Sequence, residues 1–101
     1  MPGYVWDHYE KTFRMPTYVV AFMVTDFSSY DVAVTDRPSH TVFFRKEIAN
    51  DTRYVGDLIS KLLRVVQNFT GFYYELDKLD VIVVPELAYA AMENWGLLTF
   101  R

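Results

Sequence analysis

The sequence predicts an α+β fold, and three stretches of the chain support this prediction. Up to about residue 45, short runs rich in β-branched and aromatic residues alternate with polar turns, as strands do. Over residues 51–70, apolar residues recur every three or four positions, which predicts one long amphipathic helix. Residues 79–101 then return to two strand patterns on either side of a loop. This order predicts two unlike parts: the end of an all-β unit, and the start of a unit with a helix and a small sheet.

The composition excludes several classes of protein. A 101-residue chain that is 51% hydrophobic and 18% aromatic is too apolar to be intrinsically disordered. It also has more aromatic residues than one small core can hide, which indicates a piece of a larger protein. The net charge of −3 argues against a nucleic-acid partner, and the absence of cysteine excludes disulfides and thiolate metal sites. No apolar run approaches the ~18 residues of a membrane span, and the N-terminus lacks the basic and apolar regions of a signal peptide.

The first part of the chain contains three predicted strands, at residues 17–27, 32–35 and 41–45. The run at 17–27 is almost continuously apolar, which predicts a strand that is buried on both faces. Polar turn residues separate the three runs, so a meander or one edge of a sandwich is expected. For residues 1–15, whose aromatic side chains are irregularly spaced, a short helix and a coil both remain open.

The sequence contains residues that can begin and end the predicted helix over residues 51–70. Asn50 or Asp51 can supply the N-cap oxygen, and Gly71 is placed to adopt the left-handed conformation that ends many helices. The apolar stripe consists of Val55, Ile59, Leu62, Val66 and Phe69. These side chains are interpreted as core packing.

The end of the chain combines a strand, a loop with one acid, and a second strand. A strand is predicted at 81–84, where Pro85 ends it, and another at 97–100. Between them, Glu93 is a single carboxylate among apolar and small residues, next to the amide of Asn94. This pattern indicates a site that recognises a charged polar group. The plainer interpretation, in which Glu93 is an ordinary loop acid and Met92 and Trp95 are core residues, stays open on these residues alone.

Residues 90–97, Ala-Ala-Met-Glu-Asn-Trp-Gly-Leu, resemble the Gly-Ala-Met-Glu-Asn exopeptidase motif of zinc aminopeptidases of the aminopeptidase N type, which are gluzincins. Residues 74–80, Tyr-Glu-Leu-Asp-Lys-Leu-Asp, are similar to the family's Tyr-Pro-Leu-Pro-Lys-Leu-Asp string with both prolines replaced. Residues 12–27 resemble the segment near the end of the family's N-terminal β-domain. The resemblance implies that residues 1–45 end that β-domain and that residues 46–101 begin an incomplete, thermolysin-like catalytic domain.

The resemblance also implies a site for a peptide with a free N-terminus. Glu93 would bind the α-amine through a charge-assisted hydrogen bond, which a peptide bond inside a chain cannot provide. Asn94, Met92, Ala91 and Ala90 would line the first peptide bond of the substrate. Ala90 stands where the family has glycine, and its added Cβ bears on substrate preference more than on amine binding.

The family's zinc is held by a His-Glu-x-x-His helix and a further glutamate, and the resemblance implies that these lie beyond residue 101. His8 and His40 have no partner at ligand spacing and are interpreted as surface or turn residues. We therefore expect no metal ligand and no catalytic residue in this chain, which would be inactive alone. The acidic residues Glu75, Asp77 and Asp80 are interpreted as a solvated connector and not as a cation site.

Two further functions stay open beside a fragment of a zinc aminopeptidase. One is a non-catalytic binding module or truncated receptor-like piece that binds a toxin or another protein, and the other is a truncated product without a function. The remainder of the catalytic domain is an expected partner, and whether the parent is a homodimer is left open. The sequons at Asn50 and Asn68, together with the habit of the family, favour the extracellular face of the plasma membrane, with the cytoplasm as the alternative.

Overall fold

The computed structural model describes residues 2–101 and confirms the predicted α+β fold. Its regular secondary structure is one long helix and five short strands, with single turns of 3-10 helix at Thr17–Val19 and Lys46–Ile48. In chain order, the longer elements are β1 (Ser28–Asp31), β2 (Thr41–Phe44), α1 (Ala49–Thr70), β3 (Asp80–Val83), β4 (Ala91–Met92) and β5 (Leu97–Phe100). No helix within residues 2–101 combines the length and the apolar character that crossing a bilayer requires.

The five strands form one mixed sheet in the order β1-β2-β3-β5-β4. The three central strands, β2, β3 and β5, are parallel, whereas β1 and β4 run antiparallel at the two edges. Val81 of β3 is paired with Val42 on one side and with Leu98 on the other. Helix α1 is the crossover that parallel neighbours such as β2 and β3 need, because a tight hairpin cannot join them.

The core lies between α1 and the central strands. Val42 and Val81 are fully buried, and Ile59 of the helix packs with Leu79 and Val81. Three of the four residues of β3 are buried, as expected for a central parallel strand. The predicted strands at 81–84 and 97–100 are thereby confirmed as β3 and β5, and the one at 41–45 as β2.

The predicted strand at 17–27 is wrong. The structure has a 3-10 turn at Thr17–Val19, and the residues that follow it up to β1 have no strand partner. Phe22 and Val24 are almost fully exposed, although their types favour strands. The physical reason is that β-propensity measures packing on a sheet, so apolar residues without a sheet neighbour do not form a strand.

The predicted strand at 32–35 is also wrong, because the strand before β2 comes earlier. Pairing with β2 places β1 at Ser28–Asp31, with Ser28 opposite Phe44, so the serines predicted as a turn begin the strand. Pairing with β2 therefore outweighs the preference of serine for turns at these two positions.

The predicted helix is confirmed at Ala49–Thr70, and so is its C-terminal end. Gly71 has a φ of 72°, and its N–H donates to the carbonyl of Gln67. The predicted N-cap is wrong, because the helix follows directly on the 3-10 turn Lys46–Ile48. The cap residue is Ile48, which makes no side-chain capping bond.

The division of the chain into a β-domain up to residue 45 and a catalytic domain from residue 46 stays a prediction. Strand β2 precedes this boundary and pairs with β3, which follows it. One sheet therefore contains strands from both sides of the proposed boundary.

An open apolar groove of about 790 Å³ runs along α1 and the neighbouring end of the sheet. Its lining includes Val55, Leu58, Leu62 and Val66 of the helix, with Val83 and Phe100 of the strands. Leu62 and Val66 remain more than half exposed. The apolar stripe is thus wider than the part that the sheet covers.

Strand β1 contacts the helix through Tyr30. Its hydroxyl donates a hydrogen bond of 2.5 Å to the carbonyl of Thr52, and its ring lies against Phe44 with the centroids 5.7 Å apart. Removal from water raises the pKa of the Tyr30 hydroxyl, partly offset by a hydrogen bond with the backbone of Gly56. Gly56 is buried beneath this ring, and a Cβ there would lie 2.6 Å from the hydroxyl oxygen.

Gly56→Ala is therefore expected to destabilise the fold, although alanine favours a helix over glycine by about 1 kcal/mol. Overpacking costs about 1–3 kcal/mol and should outweigh that gain. Urea unfolding of the chain measures the change. In a Tyr30→Ala background the same substitution should become neutral or stabilising, and an equal loss in both backgrounds would contradict the steric explanation.

Candidate functional site

The residues predicted to line a substrate surround the short edge strand β4. Ala91 is paired with Phe100 and Met92 with Thr99, and the N–H of Arg101 donates to the carbonyl of Ala90 at 3.0 Å. Strand β4 is the last in the order of the sheet, so its outer edge has no strand neighbour within residues 2–101. An edge of this kind offers main-chain donors and acceptors to an extended peptide.

Glu93 follows β4 directly and begins the loop to β5. Its side chain is exposed, and its carboxylate has no hydrogen-bond or ion-pair partner in the part of the chain that the structure describes. A carboxylate in this state can accept hydrogen bonds from a cation without first losing an internal partner.

Asn94 is buried and points its amide into the protein. Its Nδ2 donates to the carbonyl of Tyr18 at 3.4 Å, and its Oδ1 accepts from Oγ1 of Thr99 at 3.3 Å. Both ends of the amide therefore have partners within the chain. The predicted contact between Asn94 and a substrate carbonyl stays a prediction, and the side chain already has a role in holding the loop.

The loop is also fastened to the N-terminal part of the chain. The N–H of Trp95 donates to the carbonyl of Val19 at 3.0 Å, next to the bond that Asn94 makes with Tyr18. Val19 is the buried residue of the first 3-10 turn. Trp95 itself is 45% exposed, so the interpretation of its side chain as core is wrong.

The other end of the loop, at Gly96, rests on a polar cluster. The carbonyl of Gly96 accepts from the N–H of Asp80 at 3.0 Å and from Nζ of Lys78 at 3.0 Å. Lys78 Nζ lies 2.7 Å from Oδ2 of Asp80, and Oδ1 of Asp80 accepts from the N–H of Thr41 at 3.0 Å. Gly96 has a φ of 80°, in the left-handed region that favours glycine.

This cluster corrects part of the interpretation of residues 75–80. Glu75 and Asp77 are exposed, as a solvated connector requires, and Asp77 forms an ion pair with Arg37. Asp80, however, is buried. A buried carboxylate must have a partner charge and hydrogen bonds, which Lys78 and strand β2 supply.

Tyr74 closes the cluster on one side. Its hydroxyl donates to the carbonyl of Lys78 at 3.0 Å, and its N–H donates to Oε1 of Gln67 at 2.7 Å. Burial raises the pKa of Tyr74 to about 12; a backbone hydrogen bond with Gly96 opposes this shift and the charge of Asp80 adds to it.

The two histidines differ in their surroundings. His40 is buried, with Nδ1 2.8 Å from the carbonyl of Leu79, so its interpretation as a surface or turn residue is wrong; His8 is exposed as expected. Across residues 2–101 no three His, Asp or Glu side chains come together in a group that fits a metal ion. The location of the zinc ligands beyond residue 101 stays a prediction.

With this geometry in view, the comparison with known proteins decides the family. Residues 54–101 match the family described as the Peptidase family M1 domain. The chain belongs to the M1 peptidase family. Peptidases of this family depend on zinc. The match covers α1 from Tyr54 onward, the strands β3 to β5 and the loop with Glu93.

Relatives with aminopeptidase names match nearly the whole chain. Endoplasmic reticulum aminopeptidase 2 of Bos taurus is 37% identical over 99 residues, which is 98% of this chain and 10% of the relative. Aminopeptidase N of Plutella xylostella is 32% identical over 99% of this chain and 11% of its own length. Glutamyl aminopeptidase of Homo sapiens is 31% identical over 92% of this chain and 10% of its own length. The chain spans about a tenth of the length of these relatives.

The sequence singled out residues 90–97 as a candidate site but did not reveal which residues hold this loop in place. The role of Lys78 and Asp80 had one available signal, the similarity of residues 74–80 to a family string. The role of Tyr18 and Val19 had no such signal, because both contribute main-chain carbonyls, which any residue carries. Their position next to the loop at residues 93–96 follows only from the tertiary structure.

Asn94→Ala is expected to lower the free energy of unfolding by about 1 kcal/mol, because it removes a buried amide and leaves its partners unpaired. Glu93→Ala, at the neighbouring exposed position, should change it by less than about 0.5 kcal/mol. Urea unfolding of both variants distinguishes an internal support from a free side chain. Equal losses would contradict the different roles of these neighbours.

Tyr74 is expected to make stability depend on alkaline pH. Its pKa of about 12 in the folded chain exceeds the ordinary value of 10.0, so the folded state keeps the proton longer. This contribution to the free energy of unfolding is complete below pH 10 and is lost as the pH rises to about 12. Urea unfolding across this range should show a smaller loss for Tyr74→Phe than for the wild type. Tyr4→Phe, at an exposed position, is the control and should match the wild type.

Proposed function

We propose that this chain is the substrate-recognition part of a zinc metalloaminopeptidase, in which Glu93 binds the free α-amine of a peptide. The observation that carries this proposal is the state of Glu93. In an M1 family chain it is the exposed carboxylate at the end of the edge strand β4, with no partner of its own in residues 2–101. Its neighbours Asn94 and Trp95 are both held within the fold.

The chemistry of an exopeptidase explains why a single carboxylate is sufficient for this recognition. An N-terminal ammonium group donates to Glu93 in charge-assisted hydrogen bonds, which are about twice as strong as neutral ones. A peptide bond in the interior of a chain has no such cation, so the carboxylate would lose water without gaining a partner. Glu93 thereby selects the end of a chain.

The edge strand supplies the second half of the recognition. Ala90, Ala91 and Met92 lie at the edge of the sheet, and an extended substrate can lie along them in the manner of an added strand. The Cβ of Ala90, which replaces the glycine of the family motif, narrows this surface. We infer that it alters preference among first residues and leaves amine binding intact.

The zinc ligands belong to the parent protein outside residues 1–101 in this proposal. When zinc is bound there, it would activate the water and polarise the carbonyl of the scissile bond. The residues described here contribute binding and orientation: Glu93 holds the amine, and β4 aligns the first peptide bond.

The remainder of the catalytic domain is the proposed partner of the apolar groove along α1. The groove is lined by aliphatic side chains such as Leu62 and Val66, which are more than half exposed. The relatives of this chain are about ten times as long as the matched region, so they contain further polypeptide from which a covering segment can come. The extracellular face of the plasma membrane, with the cytoplasm as the alternative, is the proposed location.

The test is Glu93→Gln in the full-length protein that carries this chain. Loss of the charge-assisted bond, about 1.5–3 kcal/mol, should lower kcat/KM for peptides with a free amine about 10- to 100-fold. Hydrolysis of an N-acetylated peptide should not fall in parallel. Glu75→Gln, at another exposed acid, is the matched control, and residues 1–101 alone serve as the blank. An unchanged kcat/KM would remove Glu93 from the site.

A second candidate function, a non-catalytic module that binds a protein, is favoured by the same exposed groove. It differs from the aminopeptidase proposal in its dependence on Glu93. Partner binding that persists in Glu93→Ala and is lost on Leu62→Asp, with no peptidase activity in the full-length protein, would support the module instead.

A further inference from the structure

We propose that Lys78 is a positioning residue for amine recognition: it fixes the carbonyl of Gly96 and thereby the loop that presents Glu93. This inference rests on the proposed function of Glu93. Lys78 lies outside the motif at residues 90–97 and comes from the connector before β3. It acts through Gly96 and does not itself contact the substrate.

Asp80 holds the side chain of Lys78 in place. Asp80 is 8% exposed, and its Oδ1 is already occupied by the N–H of Thr41 in β2. Its Oδ2 therefore has a fixed direction, and Nζ of Lys78 lies 2.7 Å from it. A flexible lysine would otherwise sample several rotamers, whereas a buried, oriented carboxylate selects one.

The backbone of Lys78 is held as well. Its carbonyl accepts a hydrogen bond of 3.0 Å from the hydroxyl of Tyr74. Ser39 forms a parallel bridge with Lys78, and its main chain exchanges hydrogen bonds of 2.9 Å with Asp77 and Leu79 on either side. Both ends of the Lys78 side chain are thus anchored.

The ammonium group of Lys78 helps to fix the orientation of the Gly96 peptide plane. The carbonyl of Gly96 accepts from Lys78 Nζ and from the N–H of Asp80, each at 3.0 Å, so both of its lone pairs are engaged. This residue is in the left-handed conformation, at the point where the loop turns into β5. One hydrogen bond fixes a distance, whereas two from different directions also fix the orientation of the peptide plane.

A loop of four residues connects Gly96 to Glu93. The loop from Glu93 to Gly96 leaves β4 at Met92, which is paired with Thr99, and enters β5 at Leu97, which is paired with Asp80. Only four residues separate the two strands, so rotation of the Gly96 peptide must be absorbed within the loop. Since the carboxylate of Glu93 has no partner within residues 2–101, its position depends on the backbone of the loop. Binding sites need such supporting contacts to hold the contacting group in a productive geometry.

The alternative is that Lys78 contributes only to stability. Its ammonium group is the partner charge of the buried Asp80 carboxylate, so removing it also destabilises the fold, and a stability measurement does not distinguish the two roles. A role in orienting the loop is different, because it changes substrate binding while the protein remains folded. The two roles therefore predict different effects on the KM of the folded protein.

The test is Lys78→Met in the full-length protein, which removes the ammonium group and keeps the length of the side chain. KM for peptides with a free amine is expected to rise about 3- to 10-fold, with kcat within about twofold. Lys78→Arg, which keeps a cationic donor, should restore part of the loss. Lys61→Met, at an exposed lysine of α1, is the matched control and should leave KM unchanged. In residues 1–101, amide hydrogen exchange at positions 93–97 should become faster in Lys78→Met and stay unchanged in Lys61→Met.

The outcomes separate this inference from the function on which it rests. If Glu93→Gln lowers kcat/KM but Lys78→Met changes neither KM nor the exchange rates, the positioning role is overturned and the function of Glu93 stands. If Glu93→Gln has no effect, both are overturned. Should Lys78→Met fail to fold, Lys78→Gln keeps a shorter, neutral donor, and a KM equal to that of the wild type would then overturn the inference.

Discussion

The buried carboxylate of Asp80 is the constraint on which the rest of the sheet depends. Asp80 lies at the start of β3 and accepts from the N–H of Thr41 in β2, while its own N–H donates to Gly96 before β5. Lys78 supplies the balancing charge. A buried carboxylate without these partners costs several kcal/mol, so a shifted register of β2 or β5 would be strongly unfavourable. One residue, through its side chain and its main-chain N–H, thereby aligns the three central strands.

The candidate site follows from this alignment. Once β5 begins at Leu97 opposite Asp80, the loop before it must turn at Gly96, and the antiparallel return places β4 at the edge of the sheet. Asn94 and Trp95 bind the carbonyls of the first 3-10 turn, so the loop is held from two sides. Glu93 is the residue that these contacts leave free. A rigid surround with one unpaired carboxylate is the arrangement that recognition of a cation requires.

Helix α1 shows the opposite situation, in which the described residues do not complete the packing. The sheet covers Gly56 and Ile59, whereas Leu62 and Val66 border an open groove. A chain of this size buries a smaller share of its surface than a large domain does. The relatives are about ten times as long as this chain, and in our proposal another part of the polypeptide covers this apolar side of the helix.

The sequence by itself determined the features whose signals are local: the helix at Ala49–Thr70, its glycine end, the strands β2, β3 and β5, and the likeness to M1 peptidases. Periodicity and short motifs carry such information because neighbouring residues decide them. Only the tertiary structure decided that residues 20–24 form no strand, that Asp80 is buried, and that Asn94 faces inward. Each of these depends on which distant segment provides a partner: a strand for Phe22, an ammonium group for Asp80, and the carbonyl of Tyr18 for Asn94.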